Sequence, residues 1–178
     1  LMLAGFHFKT LVTRNDHFDK FSEIQCEKLI ATDEELKKIS LLTNPSSFFA
    51  VCTQRIYELN TSFQNDDLTI VLDDIQDPGN LGTIIRLASW FGVEQIVCSE
   101  NTVDCYNPKV IQATMGAIAH VKIYYTDLKS FLRHAREEGR VVYGTFMEGE
   151  NIYKSDLSAN GLIVFGNEGK GISEELKV

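Results

Sequence analysis

The stretch LTIVLDDIQDPGNLGTIIRLASWFGVEQIVCS, residues 68–99, decides how the chain folds. Residues 68–72 form a short β-branched, apolar run, the composition of a strand buried on both faces. DDIQDPGNLG follows, rich in turn formers, with Pro78-Gly79 suited to a tight turn. The spacing then changes: Ile84, Leu87, Ala88 and Phe91 recur at three and four residues, which predicts a helix ended by Gly92. EQIVCS (94–99) is the next strand. Strand, turn, helix and strand within about thirty residues make a βαβ unit, whose strands run parallel.

The pattern repeats downstream. Asn107 ahead of Pro108 marks a helix start, with KVIQATMGAIA (109–119) as the body. HVKIYY (120–125) is strand-like, and Asp127 caps LKSFLRHAREE (128–138), which Gly139 ends. RVVYGT (140–145) and GLIVFG (161–166) are strands, and Ser173 caps a helix opening on EEL. Residues 68–178 therefore read as an α/β domain, a parallel sheet flanked by helices. Its loops at the carboxyl ends of the strands are the natural ligand sites.

Residues 1–60 differ. HFKTLVT (7–13), CEKLIAT (26–32) and SFFAVCT (47–53) look like short strands, and DEELKKISLL (33–42) like a helix capped by Asp33 or Thr32. RIYELNTSFQNDD (55–67) is polar and unpatterned and holds the linker, set at 61–67. The reading is a small α/β domain at 1–60 and a larger parallel-sheet domain at 68–178.

Composition narrows the class. With 44% apolar and 24% charged residues, the chain reads as soluble and globular. No apolar run approaches the ~18 residues of a membrane span, and LMLAGFHFKT (1–10) lacks the charged start and cleavage site of a signal peptide. Cys26, Cys52, Cys98 and Cys105 are scattered without a CxxC pair and read as packed, reduced thiols of a cytoplasmic protein. His7, His17, His120 and His134 show no ligand spacing, so no metal is expected. Taken alone, a net charge of −8 argues against a nucleic-acid partner.

Two loops stand where chemistry is expected. In DPGNLGTIIR (77–86), Gly82 would let backbone approach a ligand at the helix start. Asn80 falls in the loop, and Arg86 sits about one turn into the helix, reaching over the same edge; the other reading is a plain turn with Arg86 as a surface cation. FGNEGKGIS (165–173) sets Gly166, Gly169 and Gly171 around Asn167, Glu168 and Lys170. It is neither the GxxxxGK[ST] of a phosphate loop nor GxGxxG. Its glycines free backbone N–H and C=O groups to grip a ligand edge, at an entropic cost that a simple turn does not require. Ala113, Gly116 and Ala117 form a small-residue face that reads as close packing. Thr145 and Phe146 end a strand, either plainly or beside a cofactor edge.

Together these stretches resemble the SpoU family of RNA ribose 2′-O-methyltransferases, within the knotted SPOUT superfamily. The family's first motif, N-x-G-x-x-x-R and then A-x-x-F-G, is similar to NLGTIIRLASWFG (80–92). Its second, an apolar strand and G-N-E-G-x-G-x-S, is similar to LIVFGNEGKGIS (162–173). NPKVIQATMGA (107–117) resembles its intermediate stretch, with Thr114 in the serine position. The resemblance spans about 70–175. Residues 1–60, notably ATDEELKKISLLTNPSSFFAV (31–51), are similar to an L30e-like RNA-binding domain that many members carry.

The family's third motif, an apolar strand ending in IPM and a serine-leucine-asparagine-rich turn, does not occur before Val178. The accessory domain's usual opening strand is also not found. Segments at both ends are expected to lie outside this chain. In the family the third segment threads the knot and supplies much of the cofactor pocket and the dimer contact, so the chain as written is expected to bind cofactor poorly.

The resemblance implies S-adenosylmethionine as cofactor. Gly166, Asn167, Gly169 and Gly171 would form one wall of its pocket, and Thr145 and Phe146 a second. Arg86 would lie beside the target 2′-hydroxyl and its phosphate. A guanidinium is a poor base, with a pKa above ~12, so Arg86 would stabilise developing alkoxide charge or relay a proton. Asn80 would orient Arg86 or the ribose, and Glu168 would pin the loop and hold Arg86. The implied partner is RNA, ribosomal RNA ahead of transfer RNA, with a homodimer as the assembly. A non-catalytic, methylase-like RNA-binding assembly factor is the alternative from another class.

Overall fold

The computed structural model describes residues 6–59 and 68–177, in two compact units that divide after Ile56. Linker residues 61–67 lie outside the described residues.

The first unit holds strands β1 (Phe8–Thr13), β2 (Glu27–Ile30) and β3 (Phe48–Cys52) and helix α1 (Asp33–Ile39). β1 is central, parallel to β2 and antiparallel to β3. Thr32, not Asp33, caps α1: its hydroxyl accepts from the Glu35 N–H, and the Glu35 carboxylate accepts in return from the Thr32 N–H at 2.8 Å. This reciprocal pair satisfies two N–H groups that a helix start leaves open. The helix stops at Ile39, short of the Leu42 expected. A 3-10 helix at Asn15–Phe21, unseen in the sequence, links β1 to β2.

In the second unit, β4 (Leu68–Leu72), α2 (Pro78–Trp90), β5 (Gln95–Ser99), α3 (Pro108–Thr114), β6 (Lys122–Thr126), α4 (Leu128–Glu137), β7 (Val142–Gly144) and β8 (Gly161–Phe165) follow in order. Their sheet runs β6-β5-β4-β8-β7, and every neighbouring pair is parallel. Side chains alternate across it. Leu72 faces a core with Leu81, Ile85 and Val110 from α2 and α3, whereas Val71 faces a second core with Leu128, Phe131 and Leu132 of α4. Tyr57 and Leu59 join that second core, with the Tyr57 and Tyr124 rings 6.0 Å apart. The stretch 55–67 is polar and unpatterned, but the apolar bodies of these two residues are packed.

Three elements are shorter than read. The helix expected over 109–119 ends at Thr114, because Met115 (φ 51°) and Gly116 (φ 93°) turn left-handed and a 3-10 turn over Ala117–Ala119 follows. β6 therefore begins at Lys122. β7 spans three residues, and the last turn, Glu174–Leu176, is 3-10 with no side-chain bond from Ser173.

Candidate active site

α2 begins earlier than its apolar spacing suggests. Asp77 caps it by accepting from the Asn80 N–H at 2.8 Å, and Pro78 occupies the first turn, where its missing N–H costs nothing. Asn80 therefore sits in the first helical turn and not in the loop. Gly82 is buried too, against α3. A Cβ there would lie 2.4 Å from the Ala113 Cβ, so this glycine serves helix packing and not the approach of a ligand. Ala113 belongs to the small-residue face and does pack closely, as its composition suggests.

β4 and β8 are neighbours, with Leu72 opposite Phe165, so the two sequence loops leave the sheet side by side. Asn80 Nδ2 donates to Glu168 Oε1 at 3.0 Å, joining the start of α2 to the glycine loop. Asp73, 6% exposed, accepts from the Ser173 N–H at 2.7 Å through its carboxylate, and its own N–H donates to the Phe165 carbonyl at 2.9 Å. Asp74 takes a left-handed φ of 56°, strain that surrounding bonds must maintain. Its N–H donates to Ser99 Oγ at 2.9 Å, and its carbonyl accepts from Asn167 Nδ2 at 2.7 Å. Asp73 and Asp74 went unnoticed in the sequence; a pair of carboxylates straight after a buried strand was the available signal.

Asn167 organises the glycine loop. Its Oδ1 accepts from the N–H groups of Gly169 (2.9 Å) and Lys170 (3.1 Å), and its backbone exchanges two hydrogen bonds with Gly171. Gly166 is required sterically: a Cβ would stand 2.1 Å from the Gly171 carbonyl carbon and the Ile172 nitrogen. Gly171 holds φ at 71°, a conformation that favours glycine. Partial burial works against the Glu168 carboxylate, but hydrogen bonds from the Asn80 side chain and from the backbone of Glu168, Asp77 and Gln76 outweigh it and hold its carboxyl below the usual value.

Arg86 is exposed on α2 and makes no hydrogen bond or ion pair among the described residues. Six residues of helix separate it from Asn80, about 9 Å along the axis and roughly 120° around it. Glu168 thus meets Asn80, and the expected grip of Glu168 on Arg86 is not formed.

Thr145 and Phe146 lie beyond β7. The Thr145 hydroxyl donates to the Val164 carbonyl at 3.0 Å, fastening the strand end to β8. The Phe146 ring covers Gly144 so closely that a Cβ there would meet it at 2.4 Å. Both residues line a cleft of about 600 Å³ with Tyr143, Glu150, Asp156 and Leu157. Gly166, Asn167, Gly169 and Gly171 do not line it. Among the described residues no cluster of three or more His, Cys, Asp or Glu side chains is arranged to hold a metal, and no helix is long and apolar enough to cross a membrane.

Comparison with known proteins gives the chain's relatives. The chain is 30% identical over 154 residues to the 23S rRNA (guanosine(2553)-2′-O)-methyltransferase RlmP of Bacillus subtilis, covering 86% of this chain and 60% of that protein. It therefore spans less than two thirds of that relative's length. Among solved structures, a TrmH-family protein from Porphyromonas gingivalis superposes with a TM-score of 0.88 at 32% identity, over 98% of this chain and 71% of that one. An AdoMet-bound rRNA methyltransferase from Sinorhizobium meliloti superposes with a TM-score of 0.85 at 28% identity, over 98% and 69% of the two chains. The model of the SpoU rRNA Methylase family matches residues 67–178. With the sheet, both loops and the bond between them accounted for, the chain belongs to the SpoU rRNA Methylase family.

Proposed function

We propose that the protein is an S-adenosylmethionine-dependent RNA methyltransferase that transfers a methyl group to a ribose 2′-hydroxyl, with ribosomal RNA as its substrate. The observation that carries this reading is the 3.0 Å bond between Asn80 and Glu168, which joins the family's first motif, at the start of α2, to its second, in the loop after the adjacent strand β8.

The cleft beside β7 suits the cofactor. Its volume of about 600 Å³ lies within the usual range for small-molecule sites. Tyr143 and Phe146 offer ring faces for a base, and Glu150 and Asp156 offer carboxylates for hydroxyl and ammonium groups. Thr145 and Phe146 would hold the cofactor there; the loop containing Gly166, Asn167, Gly169 and Gly171 follows the neighbouring strand β8 and does not line the cleft, so its part as a second wall requires the cofactor to extend past the strand end. When bound, S-adenosylmethionine supplies an already activated methyl group.

The protein's own task is then to position the ribose and stabilise its oxygen as the proton leaves. Arg86 has no partner among the described residues, so its five N–H donors are free for the 2′-oxygen and the adjacent phosphate. Asn80 keeps its Oδ1 and one amide hydrogen available to the ribose after bonding Glu168. Glu168, held ionised, acts as an acceptor that sets the spacing of the loops and does not donate a proton near neutral pH.

Residues 1–60 fit the reading as an L30e-like RNA-binding arm, and a second copy of the chain is the fitting assembly partner. Leu87 and Trp90 of α2 and Phe91, which caps its end, face solvent, Trp90 at 85% exposure, as a helix awaiting an apolar neighbour does. The knot and a cytoplasmic setting belong to the same reading, the latter supported by free, packed thiols. Incubating full-length protein with labelled methyl donor and separate rRNA and tRNA tests the substrate. Label in rRNA alone is expected; label in tRNA alone would replace the substrate, and label in neither would end the reading.

A further inference from the structure

Charge is divided unequally along the chain. Residues 1–56 carry seven Lys or Arg and seven Asp or Glu, whereas residues 57–178 carry ten against eighteen. The second unit therefore bears the whole net charge of −8 and repels a phosphate backbone on average. Any surface on it that attracts RNA has to be local.

One surface has that character. Four of the ten cations fall within twelve residues: Lys129, Arg133, Arg136 and Arg140. Lys129, Arg133 and Arg136 recur at i, i+4 and i+7 of α4, within an arc of roughly 60°, and all three are exposed. The opposite side of the helix, Leu128, Phe131, Leu132 and Ala135, is buried in the core. The cations thus occupy the outer face as a row.

Nearby acids neutralise little of the row. Glu175 stands 4.0 Å from Lys129, but both side chains are more than 60% exposed, so the pair is weak and screened. Glu137 lies 4.0 Å from His134, the Asp127 carboxylate accepts from the N–H groups of Lys129 and Ser130, and Glu138 lies beyond the last residue of α4. Arg133 and Arg136 have no ion pair among the described residues. Two like charges at neighbouring helical positions repel each other, a cost that an anionic partner would relieve. The row borders a cleft of about 180 Å³ against Glu175 and Leu176. Arg136 also borders a cleft of about 220 Å³ with Gly144 and Phe146, so the row leads to the candidate cofactor wall.

We propose that the Lys129, Arg133 and Arg136 face of α4 is a docking ridge for the phosphate backbone of the RNA substrate. The inference rests on the methyltransferase reading and adds where on the second unit the RNA lies. Two unpaired, planar guanidinium groups suit phosphate better than any other feature of this face.

Fluorescence anisotropy with a fluorescein-labelled RNA hairpin, using full-length protein, tests it. The double variant Arg133→Gln with Arg136→Gln is expected to bind about 10-fold or more weakly near 0.1 M salt, and its log Kd against log salt slope should fall by about 1.5. Arg133→Lys with Arg136→Lys should recover most of the affinity, and both double variants should melt with the wild type. Wild-type binding that the glutamine variant matches in affinity and slope would overturn the ridge and leave the methyltransferase reading intact. A wild type that binds no hairpin would overturn both. Polyglutamate displacing the hairpin at equal charge would assign the face to an acidic protein and overturn the proposal.

Discussion

Asn80 and Glu168 stand 88 residues apart in the chain and share a 3.0 Å hydrogen bond, Nδ2 to Oε1, across the carboxyl edge of the parallel sheet. The bond is possible because β8, the last strand of this unit in chain order, lies beside β4, the first. It joins the start of a helix to the middle of a glycine loop, and together with backbone donors it holds the carboxyl below its usual value despite partial burial.

Asn80→Ala removes a partly exposed hydrogen bond and should destabilise the protein by only about 0.5–1 kcal/mol. The Glu168 carboxyl, held below its ordinary 4.5 by this bond and backbone donors, should rise. A depressed carboxylate adds stability above its unfolded pKa and loses it as pH falls through the folded value. The variant should therefore lose less stability than the wild type on acidification below about pH 4.5. Carboxyl NMR titration of Glu168 in both proteins checks this; an unmoved titration would detach Asn80 from Glu168.

Gly82→Ala places a methyl 2.4 Å from the Ala113 Cβ and about 3 Å from backbone of α3. Overpacking of this kind costs about 1–3 kcal/mol, readable by urea unfolding. Ala113→Gly in the same chain should return part of it. A neutral Gly82→Ala would mean that α2 and α3 are not packed as described.

Much of this architecture was legible in sequence, because strands buried on both faces write themselves as apolar β-branched runs, as at Leu68–Leu72 and Gly161–Phe165. Helix ends were harder. Pro78, Gly79 and Gly82 give the start of α2 the composition of a loop, yet an aspartate cap and a first-turn proline are helix signals. ATMGAIA reads as continuous helix until Met115 and Gly116 are seen to be left-handed. The order of the strands was not legible, since nothing in β8 itself says that it pairs with β4. The Asn80–Glu168 contact and the clasp of Asp73 and Asp74 on the second loop were invisible for that reason.

Gly166→Ala and Gly169→Ala should separate folding from ligand contact. At Gly166 the new methyl meets backbone at 2.1 Å, so the loop must rearrange, at a cost of about 2 kcal/mol or more. At Gly169 the nearest atom is Asn167 Oδ1 at 3.7 Å, an ordinary contact, and stability should hold within about 0.5 kcal/mol. Loss of cofactor binding by a fully stable Gly169→Ala of the full-length protein, measured calorimetrically, would support contact at that position; unchanged binding would remove Gly169 from the pocket.

The thiols should divide into two classes. Cys98 and Cys105 are buried, and burial is the main cause that pushes the Cys105 thiol from 9.0 up to about 11 and the Cys98 thiol higher still. Cys26 and Cys52 are partly exposed. At pH 8 a thiol reagent should label two cysteines and reach the others only on unfolding. A raised thiol pKa also means stability that is full below pH 9 and lost as pH rises towards 11. Four fast thiols at pH 8 would contradict the packing of β5 and the loop after it.

The measurement closest to the central claim is alkaline digestion of rRNA labelled by the full-length protein, wild type beside Arg86→Ala. Arg86 is exposed and unpartnered among the described residues, so the variant should fold within about 0.5 kcal/mol of the wild type. Alkali-resistant labelled dinucleotides are expected from the wild type, because a methylated 2′-oxygen cannot attack its phosphate, and almost none from Arg86→Ala. Label that alkali releases as ordinary mononucleotides, or equal resistant product from both proteins, would contradict that claim.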